Sequence, residues 1–174
     1  MTSELGTARA VDARAHGEPG QRTFQLRLLG SSYQSASLWL EKQHLQALNM
    51  AFSQMLGQLG EPARTAADIA TFPDPADHDF RVGRMSIGYD TTENTVVLHV
   101  FSEGRDEDDD DPDLLVRVTR TDCASLNTRL EEIIAGGRPI CPLCGTPMDD
   151  GGHACARSNG HLKQPVPRDR LEDE

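Results

Sequence analysis

The stretch FRVGRMSIGYDTTENTVVLHVFS (residues 80–102) has the pattern of two β-strands joined by a short turn. Apolar residues alternate with polar ones in one phase up to Val82 and in the opposite phase from Met85 onward, and Gly83 lies where the phase changes. A glycine at such a change of phase predicts a β-bulge. The polar run DTTEN (90–94) predicts a hairpin loop, so the two strands are expected to pair antiparallel.

Similar patterns on both sides of this hairpin predict a repeated arrangement of strands and helices. Three strands precede a helix, and three more strands precede a second helix. Tight turns join most neighbouring strands, which favours an α+β fold with a mainly antiparallel sheet, built from two consecutive three-strand-plus-helix blocks. Thr121 is the expected N-cap of the second helix, and Gly136-Gly137 its expected end. Outside 80–102, the predicted strands are 6–15, 21–29, 33–40 and 114–119, and the predicted helices are 42–59 and 122–135.

The segment PICPLCGTPMDDGGHACARSNGH (139–161) contains a cluster of metal-ligating residue types. Cys141 and Cys144 form a CxxC pair, in which a tight turn can point both sulfurs at one ion. His153 and Cys155 follow as an HxC pair, whose side chains face the same way in an extended segment. Three thiolates and one imidazole suit a tetrahedral, structural zinc ion. The sequence therefore predicts a structural zinc site at these four residues.

Other interpretations of the cysteines are a redox CxxC, an iron–sulfur site or a tail with incidental cysteines. A histidine in a set of four ligands favours zinc over iron–sulfur. A closed set leaves no position for water activation, so binding is favoured over catalysis. The fourth cysteine, Cys123, lies on the apolar stripe of its helix and is predicted to be a core residue. The predicted organisation is an α+β domain (1–137), a zinc-binding module (138–162) and a flexible tail (163–174).

The charge of the chain is concentrated in a few places. The 174 residues carry a net charge of −11, but the run EGRDEDDDDPD (103–113) alone has eight acids and one arginine. This run is predicted to be a solvated, mobile hairpin loop. The mean hydropathy is −0.51, and no apolar run approaches the roughly 20 residues that span a bilayer. The N-terminus has no signal-peptide pattern, so a cytoplasmic protein without membrane contact is expected.

Five segments, distributed over nearly the whole chain, match a known family. They are GEPGQRTFQL (17–26), LEKQ (40–43), FRVG (80–83), GRPICPLCGTPMD (137–149) and GHACARSNGH (152–161). On these residues the chain resembles a bacterial family of proteins of unknown function that ends in a cysteine-rich motif. The resemblance implies that Cys141, Cys144, His153 and Cys155 form one unit, and it draws attention to Arg157 and Asn159 in the same motif. It implies no particular activity.

The function that these patterns favour is that of a zinc-binding adaptor. In this hypothesis the zinc is structural and fixes the shape of the C-terminal module, which docks on a partner protein. Arg138, Arg157 and Asn159 are the candidate contact residues.

Two alternatives stay open. The first is binding of RNA or DNA through basic residues of the same module, which could meet phosphates but have no aromatic residue interleaved with them for stacking on bases. The second is an enzyme with a cleft between the two β-blocks, lined by residues such as Arg22, Glu41 and Arg81.

Overall fold

The computed structural model describes residues 1–60, 62, 70–106, 108–137, 139, 141–146, 148, 153, 155 and 157. The chain divides into two compact units, Met1–Gly137 and Arg138–Glu174. The first unit has the predicted order of three strands, a helix, three strands and a helix. These elements are β1 (Ser3–His16), β2 (Thr23–Gly30), β3 (Ser35–Leu40), α1 (Lys42–Leu59), β4 (His78–Asp90), β5 (Thr95–Ser102), β6 (Leu114–Thr119) and α2 (Arg120–Ala135).

The six strands form a closed barrel in the order β1-β2-β3-β4-β5-β6. Within each three-strand block the neighbours are antiparallel, as the tight turns between them predict. The two seams between the blocks, β3–β4 and β6–β1, are parallel. Strand β4 can lie parallel to β3 because α1 carries the chain back to the start of the barrel. The predicted α+β fold, with a mainly antiparallel sheet, is confirmed, and each predicted block supplies one half of the barrel.

The β4–β5 hairpin contains the predicted bulge. The register shifts between Val82 and Arg84, so Gly83 is the extra residue. A Cβ at Gly83 would lie 3.0 Å from the carbonyl oxygen of Ser102, which is closer than most side chains tolerate. Glycine lets the two strands approach closely here, whereas any other residue would push the backbone at Ser102 and Glu103 away by a few tenths of an ångström.

One hydrophobic core combines the buried faces of the strands with the apolar faces of both helices. Leu26, Leu98 and Phe52 are among its fully buried side chains. A part-buried polar contact joins the two helices, because Asn49 on α1 donates a hydrogen bond of 2.8 Å to Asn127 on α2. The helices are therefore fixed to each other by packing and by a satisfied amide pair. Among the described residues, no helix is long and apolar enough to cross a membrane.

The predicted N-cap of α2 was wrong by two residues. Thr119, not Thr121, precedes the helix, and its Oγ1 accepts a hydrogen bond of 3.1 Å from the backbone N–H of Asp122. The Thr119 hydroxyl also donates to the Asp122 carboxylate, at 2.6 Å. This reciprocal contact places Asp122 in the first turn, where a negative charge is favourable. Gly136 ends the helix as predicted, and its N–H bonds to the carbonyl of Glu132.

The acidic run joins β5 to β6, as its prediction as a hairpin loop requires. Arg105 lies among its carboxylates and forms ion pairs with Asp109 and Asp113. Burial alone would raise the pKa of Asp113, but hydrogen bonds from Ser102 and Arg105 lower it below its ordinary value. The described part of this loop is thus organised around one arginine.

Candidate metal centre

The described residues between 139 and 148, which are 139, 141–146 and 148, form a short turn that we call the knuckle. The backbone N–H of Met148 donates to the carbonyl of Pro139 at 2.7 Å, and that of Cys141 donates to Thr146 at 2.9 Å. Gly145 closes the turn, because its N–H donates to the Cys141 carbonyl at 2.9 Å. The φ of Gly145 is +72°, a left-handed conformation that favours glycine. The CPLCG sequence therefore folds locally into the tight turn that a two-cysteine metal knuckle needs.

The structure brings all four predicted ligands together. One ligand atom from each of Cys141, Cys144, His153 and Cys155 lies within 4.8 Å of all the others, and the four groups could hold a metal ion. Cys141 and Cys155 are buried, at 4% and 5% exposure, while the other two are half-buried. A cluster of four ligating groups from two segments is the geometry that a closed metal site requires.

The distances within the cluster fit a tetrahedral zinc site. Around an ion with Zn–S near 2.3 Å and Zn–N near 2.05 Å, two sulfurs lie about 3.8 Å apart and a sulfur and a nitrogen about 3.6 Å apart. The two buried sulfurs, of Cys141 and Cys155, are 3.9 Å apart. Cys144 Sγ and His153 Nε2 are 3.1 Å apart. For these two pairs, the separation differs from the tetrahedral value by no more than about half an ångström.

The electrostatics of the knuckle favour the thiolate form of one ligand. Hydrogen bonds from Thr146, and then from His153, lower the pKa of Cys144 to about 6. The imidazole reaches the cluster through Nε2, whereas its Nδ1 is buried and has no hydrogen-bond partner among the described residues. Thiolate and imidazole are the forms in which cysteine and histidine bind metals.

Of the three predicted contact residues, the structure describes only Arg157. Arg138 and Asn159 lie outside the described residues. Arg157 is exposed, and its guanidinium donates a hydrogen bond of 2.9 Å to the backbone carbonyl of Leu143. Leu143 lies between the two knuckle cysteines with 53% of its surface exposed. Sequence reasoning did not identify Leu143 as an exposed apolar residue. Its position between the two cysteines of a CxxC turn was the available signal, because a side chain there is expected to point away from an ion that the cysteines would hold.

Cys123 takes no part in the cluster, in agreement with its predicted core position. It is fully buried in α2, and burial, followed by the charge of Asp122, raises its pKa to about 12. A thiol with such a raised pKa is a poor nucleophile and a poor metal ligand.

The structure also brings together the residues of the predicted cleft. Arg22, Glu41 and Arg81 line one cleft of about 320 Å³ in the first unit. Thr23, Trp39, Leu40 and Lys42 complete its lining. Sequence reasoning missed Trp39 and Lys42, because they come together with Arg22 and Arg81 only through the pairing of strands.

Comparison with known proteins identifies a family and no close relative. The model of the family described as "Protein of unknown function (DUF3090)" matches residues 5–155, a range that includes all four ligands of the cluster. No curated protein matches the chain significantly, and no solved structure does.

Proposed function

The chain belongs to the DUF3090 family, whose function is unknown, and we propose that it is a zinc-binding adaptor with a structural metal. The family match spans the whole Cys/His cluster. The observation that carries this proposal is the convergence of three sulfurs and one imidazole nitrogen within 4.8 Å. This donor set suits zinc, which takes sulfur and nitrogen ligands in a closed tetrahedron at structural sites. The ion would supply the folding free energy of the C-terminal unit, on the order of 10 kcal/mol in small zinc peptides.

The proposed role of the zinc is to hold a small surface in a fixed shape. All four positions of the tetrahedron belong to the protein, so no position is left for a reacting water. The knuckle then presents Leu143 to solvent, and Arg157 is held beside it by its bond to the Leu143 carbonyl. An exposed leucine beside a fixed cation suits a partner protein that offers an apolar pocket with a carboxylate at its rim. In this proposal the protein acts in the cytoplasm.

The first test is metal analysis of the purified full-length chain. The expected result is one zinc per chain, which is lost in a Cys141→Ser, Cys144→Ser double variant. A chain that is purified under reducing conditions, stays metal-free and takes up no added zinc would show that the cluster is not a zinc site.

The second test is affinity capture with surface variants that keep the metal. Leu143→Asp changes the exposed tip of the knuckle without removing a ligand. Met50→Asp is the matched control, because Met50 is similarly exposed, at 71%, but lies on α1. The expected result is that the native chain and Met50→Asp capture the same partner protein, whereas Leu143→Asp does not. Equal capture by all three, or capture that nuclease treatment removes, would contradict a protein-docking role.

A further inference from the structure

The cleft in the first unit lies on the outer face of the barrel, at the parallel seam between its two halves. Trp39 on β3 is paired in register with Arg81 on β4. Leu38 and Leu40, the neighbours of Trp39 in the strand, are buried in the core, so Trp39 faces outward. Arg22 enters from the turn before β2, and Lys42 from the first position of α1. The seam therefore gathers residues that are far apart in the sequence.

The charges of this cleft are not balanced. Three cations, Arg22, Lys42 and Arg81, line it together with one carboxylate, that of Glu41. The Glu41 carboxylate is already engaged at the start of α1, where it accepts a hydrogen bond of 3.1 Å from Nε2 of Gln43. Within the described residues, none of the three cations forms an ion pair. Three cations and one carboxylate give the cleft a net positive charge in a protein whose net charge is −11, and this charge suits an anionic ligand.

The position of Lys42 supports the same conclusion. It is the first residue of α1, and the first turn of this helix contains no acidic residue. A cation at a helix N-terminus is unfavourable for the helix, because it lies next to the positive end of the helix dipole. A residue that disfavours the helix, such as Lys42 at this position, is expected where function requires it. Here it adds a further positive charge to the cleft.

The aromatic wall of the cleft is held in place. Trp39 donates a hydrogen bond of 2.8 Å from Nε1 to the Asp79 carboxylate, and its ring lies 5.4 Å from that of His16. On the opposite side, Arg22 is anchored by a bond of 3.2 Å from Nη2 to the carbonyl of Ile133 at the end of α2. Arg22 and Trp39 are thus fixed, and Lys42 and Arg81 are the side chains most able to close on a ligand.

We propose that this cleft binds a small phosphorylated ligand. The argument rests on the charge: three cations match a phosphate ester or diphosphate, which carries about two negative charges or more, better than a single carboxylate. The volume of about 320 Å³ lies at the lower end of the roughly 300–1,000 Å³ typical of small-molecule sites, so it suits a compact anion. This inference is independent of the metal centre.

The experiment uses inorganic pyrophosphate as the probe and Trp39, the only tryptophan of the chain, as the reporter. Titration of the full-length protein at low ionic strength should change the Trp39 fluorescence to saturation, and calorimetry should give the same Kd. Arg81→Gln and Lys42→Gln should each weaken binding by about tenfold or more, because each removes a charge-assisted hydrogen bond.

Arg9→Gln is the matched control for the loss of one positive charge. Arg9 is exposed on β1, where its guanidinium lies 4.6 Å from the centre of the Tyr33 ring, and it does not line the cleft. Its Kd for pyrophosphate should stay within about twofold of the native value, since it offers no hydrogen bond to the ligand. The absence of saturable binding at millimolar pyrophosphate by both methods would overturn the proposal, and so would an equal loss in Arg9→Gln and Arg81→Gln. Binding of single-stranded RNA that pyrophosphate does not displace would also count against it.

Discussion

Replacing Cys155 by serine tests whether the four converging side chains act as one metal site. The sulfurs of Cys141 and Cys155 are 3.9 Å apart, close to the about 3.8 Å edge of a zinc–thiolate tetrahedron. If four ligands share a binding free energy on the order of 10–16 kcal/mol equally, the loss of one costs about 2.5–4 kcal/mol. The Kd for zinc should therefore rise by about 60- to 700-fold in Cys155→Ser.

X-ray absorption at the zinc edge measures the coordination directly. The native chain should show three sulfurs at about 2.3 Å and one nitrogen at about 2.0–2.1 Å. In Cys155→Ser the sulfur count should fall to two, and competition with a zinc chelator should give the change in Kd. A metal shell dominated by oxygen in the native chain would refute the reasoning.

The fourth cysteine provides a control for the general effect of losing a thiol. Cys123 is buried in α2 and is not one of the four residues of the cluster. Cys123→Ala should keep three sulfurs on the metal and an unchanged Kd for zinc. A lower sulfur count in this variant would show that Cys123, and not only the knuckle and the HxC pair, supplies a ligand.

Four further predictions concern the first unit. Truncation after Gly137 should leave a unit that unfolds cooperatively in urea, and a non-cooperative transition would contradict its independence. Asn127→Ala should lower the free energy of unfolding by about 2 kcal/mol, because it removes two hydrogen bonds between the helices, each worth about 1 kcal/mol. Thr119→Ala should cost about 1 kcal/mol as the loss of an N-cap, whereas Thr121→Ala, as a control inside the helix, should change stability by no more than about 0.5 kcal/mol. The pKa of Asp113 lies below its ordinary value of 3.8 in the folded state, because accepted hydrogen bonds outweigh burial. Its stabilising contribution is therefore complete above pH 3.8 and is lost as the pH falls through the folded pKa, so Asp113→Asn should flatten the acid limb of the stability curve.

Local sequence patterns predicted the strands and helices of this fold well, because the alternation of apolar residues and the turn residues that define each element lie close together in the chain. The change of alternation phase around Gly83 predicted a bulge, and the register between Val82 and Arg84 shifts at that residue. The N-cap of α2 was misplaced, since Thr119 and Thr121 are chemically equivalent caps in the sequence. The choice between them depends on where β6 ends and on the contact of Thr119 with Asp122.

By itself, the sequence determined which four residues form the Cys/His cluster and the two-block order of strands and helices. Both follow from short-range spacing: the CxxC turn and the HxC pair each place two donor side chains on the same side of a short segment, and alternation reports which face of a strand is buried. Only the tertiary structure decided that the blocks close into a barrel through two parallel seams, and that Arg22, Lys42 and Arg81 meet beside Trp39. The pairing of strands that are distant in the chain depends on the packing of the whole core and on the helices that connect the strands. These two factors produce no local pattern in the sequence around Arg22, Lys42 and Arg81.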